Sequence, residues 1–450
     1  PFLLLENFMR FRFMALPSLV AVLSCCAAAQ AAPRSITLPQ ALELAAAHNP
    51  EAAAAAFNAK AAHAQVRQQH LLPNPELAYS QEDAGKPGRS QSLQLSWPLE
   101  LGGKRAARVG LAQQQAQAAE LGSLAARAQV RAQTALAFFD LLLAQEHFKL
   151  AQASVQLAQQ AAQAAGQRVA AGKISPVEHS RALAAQAMAQ AEAAQAQSQW
   201  RSAQGQLASM LGQDDGQAED WQAQGILAKP QAAAQAQMQT EETALSSLPP
   251  LPILPSWARL LSALDAAPTL QAAQSELAQS QAQLRLARSA RWPDVTLSVG
   301  VKRNADATQP RQQLLLGAAF PLPLFDRQQG AVQAALAQQA AAGERQRASS
   351  AQARQALLQA YENFQAAATQ SQLLQSQGLP AAYRAYRAAG IGFAYGKFSF
   401  LELLDAQRSY LAVQSQLLQA QGQAYRAVAL IEGLLAQPLS ALLPAVNERP

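Results

Sequence analysis

The sequence predicts a mainly α-helical chain with a small β part, built as an internal duplication of long coiled-coil helical hairpins with four β-strands between them. Three observations predict it. Charged residues are 14% of the 450, against about 25% in ordinary soluble proteins, and alanine and glutamine take their place, a helix-favouring mixture with little bulk for a thick core. The second half of the chain repeats the first at an offset of roughly 220 residues, far longer than a solenoid period. Each half also carries two short segments in which apolar and polar residues alternate, the period of a strand and not of a helix.

The N-terminus is set apart from the fold. Arg10 and Arg12 precede an apolar run from Phe13 to Leu23, and Ala29-Gln30-Ala31 places small residues at a cleavage spacing. Residues 1–31 therefore read as a secretory signal. A second reading makes Val22-Leu23-Ser24-Cys25 a lipoprotein cleavage box with Cys25 as an acylated terminus. The residues before Met9 read as upstream readthrough or a fragment boundary. The apolar run is short of the roughly 20 residues a spanning helix needs, and no other segment supplies a helical anchor. Both cysteines, Cys25 and Cys26, fall inside the signal, so cleavage after Ala31 would leave a mature chain without a thiol or disulfide. The 35 Lys and Arg against 29 Asp and Glu give a net +6 spread without a basic run, which argues against nucleic acid as a partner.

The repeats cover residues 36–211 and 257–437, with a polar linker over 212–256 and a tail over 438–450. Asn49-Pro50-Glu51 answers to Ala267-Pro268-Thr269, Trp97-Pro98-Leu99 to Phe320-Pro321-Leu322, and Gly172-Lys173-Ile174-Ser175 to Gly396-Lys397-Phe398-Ser399. Each repeat opens with a helix that ends near Leu72 or Arg291, where a following proline biases the chain out of the helical region. Strands then follow over about 75–82 and 91–99, and over about 293–302 and 312–322. In the first pair Leu77, Tyr79, Leu93, Leu95, Trp97 and Leu99 form one face, and Ser92, Gln94 and Ser96 lie on the other. Long helices run from about Lys104 to Ala170 and from about Asp326 to Ala389, each roughly 100 Å at 1.5 Å per residue. Leu121, Leu124, Ala128, Ala135, Phe138 and Leu142 mark the first seam, and Leu357, Tyr361, Phe364 and Ala368 the second. Glycine-bearing turns over 172–176 and 390–399 end these helices, and return helices run from about Val177 to Leu211 and from about Phe400 to Leu435.

A strand of about ten residues with an apolar outer and a polar inner face is the unit of an outer-membrane barrel, where every backbone group must be paired. Four strands cannot close one, since the smallest have about eight, so three copies of the chain would give about twelve. Trp97 and Phe320 would then sit in an interfacial aromatic belt, with Ser92, Gln94 and Ser96 lining water. The alternative is a soluble hairpin that caps a helical rod and lays its apolar face on a helix.

The layout of helix, hairpin, long helix, turn and return helix, present twice behind a signal, resembles the TolC-like outer-membrane efflux proteins. Within them, Leu72-Pro73-Asn74-Pro75-Glu76-Leu77, Pro98-Leu99-Glu100-Leu101-Gly102-Gly103-Lys104-Arg105 and Gly172-Lys173-Ile174-Ser175-Pro176-Val177-Glu178 resemble the branch that serves cobalt-zinc-cadmium resistance pumps. The resemblance implies a homotrimeric exit duct, with a twelve-stranded barrel in outer-membrane lipid and a tunnel of twelve helical strands across the periplasm. It further implies a periplasmic adaptor and an inner-membrane pump of the resistance-nodulation-division type as partners, with drugs or secreted proteins as alternative cargo to metal. No phosphate-binding loop, zinc-protease signature or nucleophile elbow is present, so neither an enzyme nor a cofactor is expected.

In the family the second tip carries acids that ring the periplasmic aperture. Glu402-Leu403-Leu404-Asp405-Ala406 fits that pattern, so the resemblance makes Glu402 and Asp405 the aperture ring. The residues alone read equally as acids in a solvated first turn facing the helix dipole. The basic and tyrosine partners that clamp this aperture in the best-known member do not align here. Lys173, Lys397 and Glu178 are the candidate substitutes, and Gly172, Ser175, Gly396 and Ser399 complete the candidate adaptor-facing tips. His63 and His70 lie seven apart on one helical face, while His48, His147 and His179 are scattered. None has a partner at metal-ligand spacing, so no metal site is expected.

Overall fold

A computed structural model describes residues 35–82, 89–212, 221–223, 250–304, 311–439 and 442. The signal segment, Cys25 and most of the linker lie outside them. No helix among the described residues is long and apolar enough to cross a membrane.

The element order runs twice. The first pass is α1 (Leu38–His48), α2 (Pro50–Gln69), β2 (Glu76–Glu82), β3 (Ser90–Leu99), α3 (Lys104–Ala170) and α4 (Pro176–Met210). The second is α5 (Trp257–Asp265), α6 (Pro268–Ser289), β5 (Val295–Asn304), β6 (Arg311–Ala319), α7 (Gln329–Leu373), α8 (Leu379–Ala394) and α9 (Phe400–Leu435). The opening helical segment of each repeat is two helices. Pro50 and Pro268 lack an N–H and start new helices at N1, and Asn49 Oδ1 caps α2 by accepting from the amides of Glu51 (2.9 Å) and Ala52 (3.3 Å).

The linker takes part in the fold near its start. Gln222–Ala223 forms β4, parallel to β1 (Ser35–Ile36), and the buried Trp221 beside it gives its carbonyl to Gln204 Nε2 at 3.1 Å. This tether lies on the first core, where Phe138, Leu141, Leu142 and Leu207 pack with Ile36, and Phe139 stacks on Tyr425 at 4.5 Å. The second core gathers Leu260, Leu264, Leu357, Phe364, Ile431 and Leu435 from α5, α7 and α9. Away from these two bulky patches the helices touch through alanine. In α4, Ala182, Ala189, Ala196 and Ala203 are buried at seven-residue intervals, and α3 buries Ala151, Ala158 and Ala165 at the same interval. That period gives a left-handed, closely approached pair. Leu124, expected in the α3 seam, is half exposed instead. The buried positions there are Ser123 and Val130, so the seam passes one position to the side.

The two helical excursions end differently. The first turns between Ala170 and Pro176, where the glycine of the expected tip, Gly172, has φ +68°. The second continues past Gly390 to Ala394, because Gly390 and Gly392 are helical and Gly396, with φ +70°, is the residue that reverses the chain. It is also interrupted by a π-helical turn, Leu374–Gly378, immediately before Pro380. Proline's missing N–H and its ring's clash with the carbonyl four residues back are the causes of such a break.

Candidate functional site

The four long strands form one antiparallel sheet in the order β2-β3-β5-β6, leaving β2 and β6 as open edges. Its register gathers the apolar residues into rows. Tyr79, Leu93, Val301 and Leu314 form one row, Leu77, Leu95, Val299 and Leu316 the next, and Trp97, Leu297 and Ala318 a third. Toward the turns the same face becomes polar at Gln81, Gln91, Arg303 and Gln312. The opposite face carries Ser80, Ser92, Lys302 and Gln313 in one row and Ser96, Ser298 and Gly317 in another, with Ala78, Gln94, Gly300 and Leu315 between them. Ser80 and Ser92 share a hydrogen bond of 2.7 Å. Among the described residues no helix covers the apolar rows: Leu77 is 66% exposed, Leu316 75% and Trp97 45%. The rod-capping alternative, in which a helix takes that face, is not the arrangement the chain adopts. Trp97 lies within β3 opposite Leu297. Phe320, expected inside the returning strand, follows its end at Ala319, because Pro321 and Pro323 cannot donate to a ladder.

The segment from Pro98 to Arg105 builds the joint between sheet and helix. Arg108 holds Glu100 and also donates to the carbonyls of Gln69 (3.3 Å) and Leu71 (3.2 Å), while Arg105 donates to that of His70 (2.6 Å). Two arginines therefore satisfy the carbonyls left open at the end of α2. Asp294 accepts from Leu101 N (3.1 Å) and pairs with Lys104 (2.7 Å), which ties the first joint to the second repeat. Gly102 has φ +67°, and a Cβ there would stand 2.5 Å from that of Trp292, so the close approach of the two joints requires glycine.

At the far end the two tips meet. Arg168, near the end of α3, donates to the carbonyl of Phe393 at 2.9 Å and lies 3.7 Å over its ring. Phe393, Phe400 and Leu404 close a small apolar cluster with Ala162, Ala165 and Ala182. Ser175 caps α4 through Val177 N, and Ser399 caps α9 through Glu402 N, each at 3.3 Å. Glu402 returns the bond, its carboxylate accepting from Ser399 N at 2.6 Å, which makes a capping box. Asp405 lies one turn further on and, like Glu402, is exposed. Lys173 and Lys397 close their turns through backbone bonds to Arg168 O (2.9 Å) and Gly392 O (2.8 Å). Their side chains are in no ion pair among the described residues. Glu178 has one carboxylate oxygen buried without a partner.

Against known proteins, the pattern of the family described as "Outer membrane efflux protein" matches residues 41–213 and 260–437, most of the chain in two blocks. The chain belongs to the outer membrane efflux protein family. A relative, the cobalt-zinc-cadmium resistance protein CzcC of Cupriavidus metallidurans, is 36% identical over 400 residues, covering 89% of this chain and 90% of its own. The nickel and cobalt resistance protein CnrC of the same organism is 29% identical over 322 residues, 70% of this chain and 69% of its own. Among solved structures, the outer membrane protein VceC of Vibrio cholerae superposes with a TM-score of 0.69 at 20% identity, covering 89% of this chain and 96% of its own. That likeness is one of fold.

The histidines do not converge in this efflux protein. His63 bonds Glu120 at 2.6 Å, His70 is the C-cap of α2, and His48 bonds Leu44 O at 3.2 Å. Among the described residues no group of three or more potential ligands could hold a metal ion. His147 instead lines a groove of about 630 Å³ between α3, α4 and α9 together with Glu192, Gln407 and Arg408. Burial lowers its pKa, with Glu192 pulling weakly the other way. The Arg168–Phe393 contact and the π-turn are functional candidates that sequence reasoning missed. Pro380 after Gly378 is a local signal for the turn, whereas a contact across 225 residues has none.

Proposed function

We propose that three copies of this chain form the exit duct of a tripartite efflux system and conduct heavy-metal cations passively to the exterior. The observation that carries the duct is the sheet. It exposes three apolar rows on one face, keeps serine and glutamine on the other, and has an open strand at each edge. In a bilayer an open edge leaves backbone groups unpaired, so β2 of one copy must meet β6 of the next. Closure of three sheets gives twelve strands with Ser92, Gln94 and Ser96 toward water and Trp97 and Phe320 near the membrane boundary.

Below the barrel, α3, α4, α7, α8 and α9 continue as tunnel wall, and the tips close or open it. There is no chemistry in this scheme. An inner-membrane pump of the resistance-nodulation-division type supplies energy, and a periplasmic adaptor meets the tip residues Gly172, Lys173, Ser175, Glu178, Gly396, Lys397 and Ser399. Glu402 and Asp405 of three copies put six carboxylates around one mouth, which raises the local cation concentration. The capping box fixes the position of Glu402. Support for metal as cargo is the identity to CzcC, whose name states cobalt, zinc and cadmium resistance.

Deleting the gene in its own host tests the cargo. Tolerance to zinc, cobalt or cadmium salts should fall and return with the intact gene. Unchanged metal tolerance together with new sensitivity to dyes or detergents would replace metal with organic cargo.

A further inference from the structure

Immediately after β6 runs Phe320-Pro321-Leu322-Pro323-Leu324-Phe325, almost without cover: Leu322 and Leu324 are each 65% exposed and Phe325 92%. Trp292, packed on Gly102 in the adjoining joint, is also 65% exposed. These residues continue the chain directly from the sheet's exposed apolar face. Two of the six have no N–H to satisfy, and Leu324 N already donates to Leu322 O at 2.8 Å, so the segment enters an apolar medium at little cost in unpaired donors.

Cations outnumber acids around it, with Arg105, Arg291 and Arg327 against Asp326 and Glu76 outside ion pairs among the described residues. Glu100 and Asp294 are held by Arg108 and Lys104. Asp326 turns back on Gln328, accepting from its backbone and side-chain nitrogens at 2.8 and 3.1 Å. Arg105, Arg291 and Arg327 are exposed, and their bonds go to backbone carbonyls: His70 for Arg105 (2.6 Å), Arg327 for Arg291 (3.4 Å) and Pro323 for Arg327 (3.3 Å). None of them is in an ion pair among the described residues. Arginine is the side chain best suited to phosphate oxygens, and an apolar segment flanked by arginines that outnumber the acids beside them is the make-up of a surface that lies in a lipid interface.

We infer that this joint is a phospholipid-binding collar, in which Leu324 and Phe325 enter the periplasm-facing leaflet while Arg291, Arg327 and Arg105 bind anionic headgroup phosphates. The inference rests on the outer-membrane duct reading and adds to it a lipid preference at one boundary of the barrel.

The test is retention of added phosphatidylglycerol and phosphatidylcholine by the detergent-purified trimer, counted by native mass spectrometry. The wild-type trimer should prefer phosphatidylglycerol. The double variant Arg291→Gln, Arg327→Gln should assemble normally and bind it on the order of tenfold more weakly, with phosphatidylcholine unaffected. Inorganic phosphate at the same concentration should not displace the lipid. Equal retention of both lipids, full retention by the double variant or displacement by phosphate would each overturn the collar. A double variant that no longer trimerises would also overturn it, assigning the arginines to a contact between copies. A wild-type chain that forms no trimer and enters no bilayer would instead overturn the duct reading, and the collar with it.

Discussion

At the second tip Ser399 and Glu402 exchange hydrogen bonds between side chain and backbone, while Asp405 has no bond among the described residues. Neutralising the two should therefore have separable effects. Asp405→Asn should lower cation preference without loss of stability, whereas Glu402→Ala should lower it and also break the capping bond to Ser399 N, at a cost of about 1 kcal/mol. Reversal potentials under a salt gradient measure the first effect and thermal melting the second. Backbone geometry makes a sharper comparison at the joint. Gly102 and Gly103 both have positive φ, but only Gly102 faces Trp292. Gly103→Ala should cost about 1 kcal/mol for the left-handed backbone, and Gly102→Ala at least about 2 kcal/mol because Trp292 must also move. His147 contributes a pH dependence. Its folded pKa is depressed, so below the free imidazole value of about 6.5 the unfolded chain binds a proton that the fold refuses. Melting temperature should be flat above pH 7 and fall as pH drops through that value, and His147→Gln should flatten the slope. At this scale the sequence was partly legible. It singled out Glu402 and Asp405, yet the capping box that holds one of them was equally legible in Ser399-Phe400-Leu401-Glu402. The burial of His147 was hidden because α9, which covers it, lies over 250 residues away.

Elements were easier to read, because hydrophobic period and punctuation are local. The returning helix Phe400–Leu435 and the long helix Lys104–Ala170 have the ends their glycine turns and serine caps imply. Strand alternation gave the two faces of the sheet, and the register then placed like beside like. The errors came from proline and glycine. Pro321 shortens β6, and Pro380 opens a π-turn. Two element-level variants follow from the packing. Arg108→Met would leave Glu100 and the carbonyls ending α2 without their donor, costing roughly 3 kcal/mol and loosening the joint; the melting temperature and protease sensitivity near Leu71 would report it. Ala189→Leu would force apart the alanine contact of α3 and α4, at about 1–3 kcal/mol, whereas Met188→Leu, next to it and 68% exposed, should be neutral.

For the whole molecule, duplication explains how one chain supplies both a four-stranded sheet and two long helical excursions. Each repeat contributes one hairpin to the shared sheet and one long helical pair, and the joints at Gly102 and Trp292 lock the repeats together. The family was legible in the sequence, since both repeats keep their motifs in order. The number of copies was legible only through the family resemblance, because four strands with two open edges require partners without stating how many. A trimer requires that β2 and β6 pair between copies. Proline at an edge position such as Leu314→Pro should therefore reduce the sodium dodecyl sulfate-resistant oligomer more than the same change beyond the strand at Leu324.

Planar-bilayer recording with the purified mature protein tests the duct most directly. The account predicts discrete, cation-preferring conductance steps, with the preference reduced in the Glu402→Gln, Asp405→Asn variant. A folded trimer that stays silent both as wild type and with its tips neutralised would contradict it.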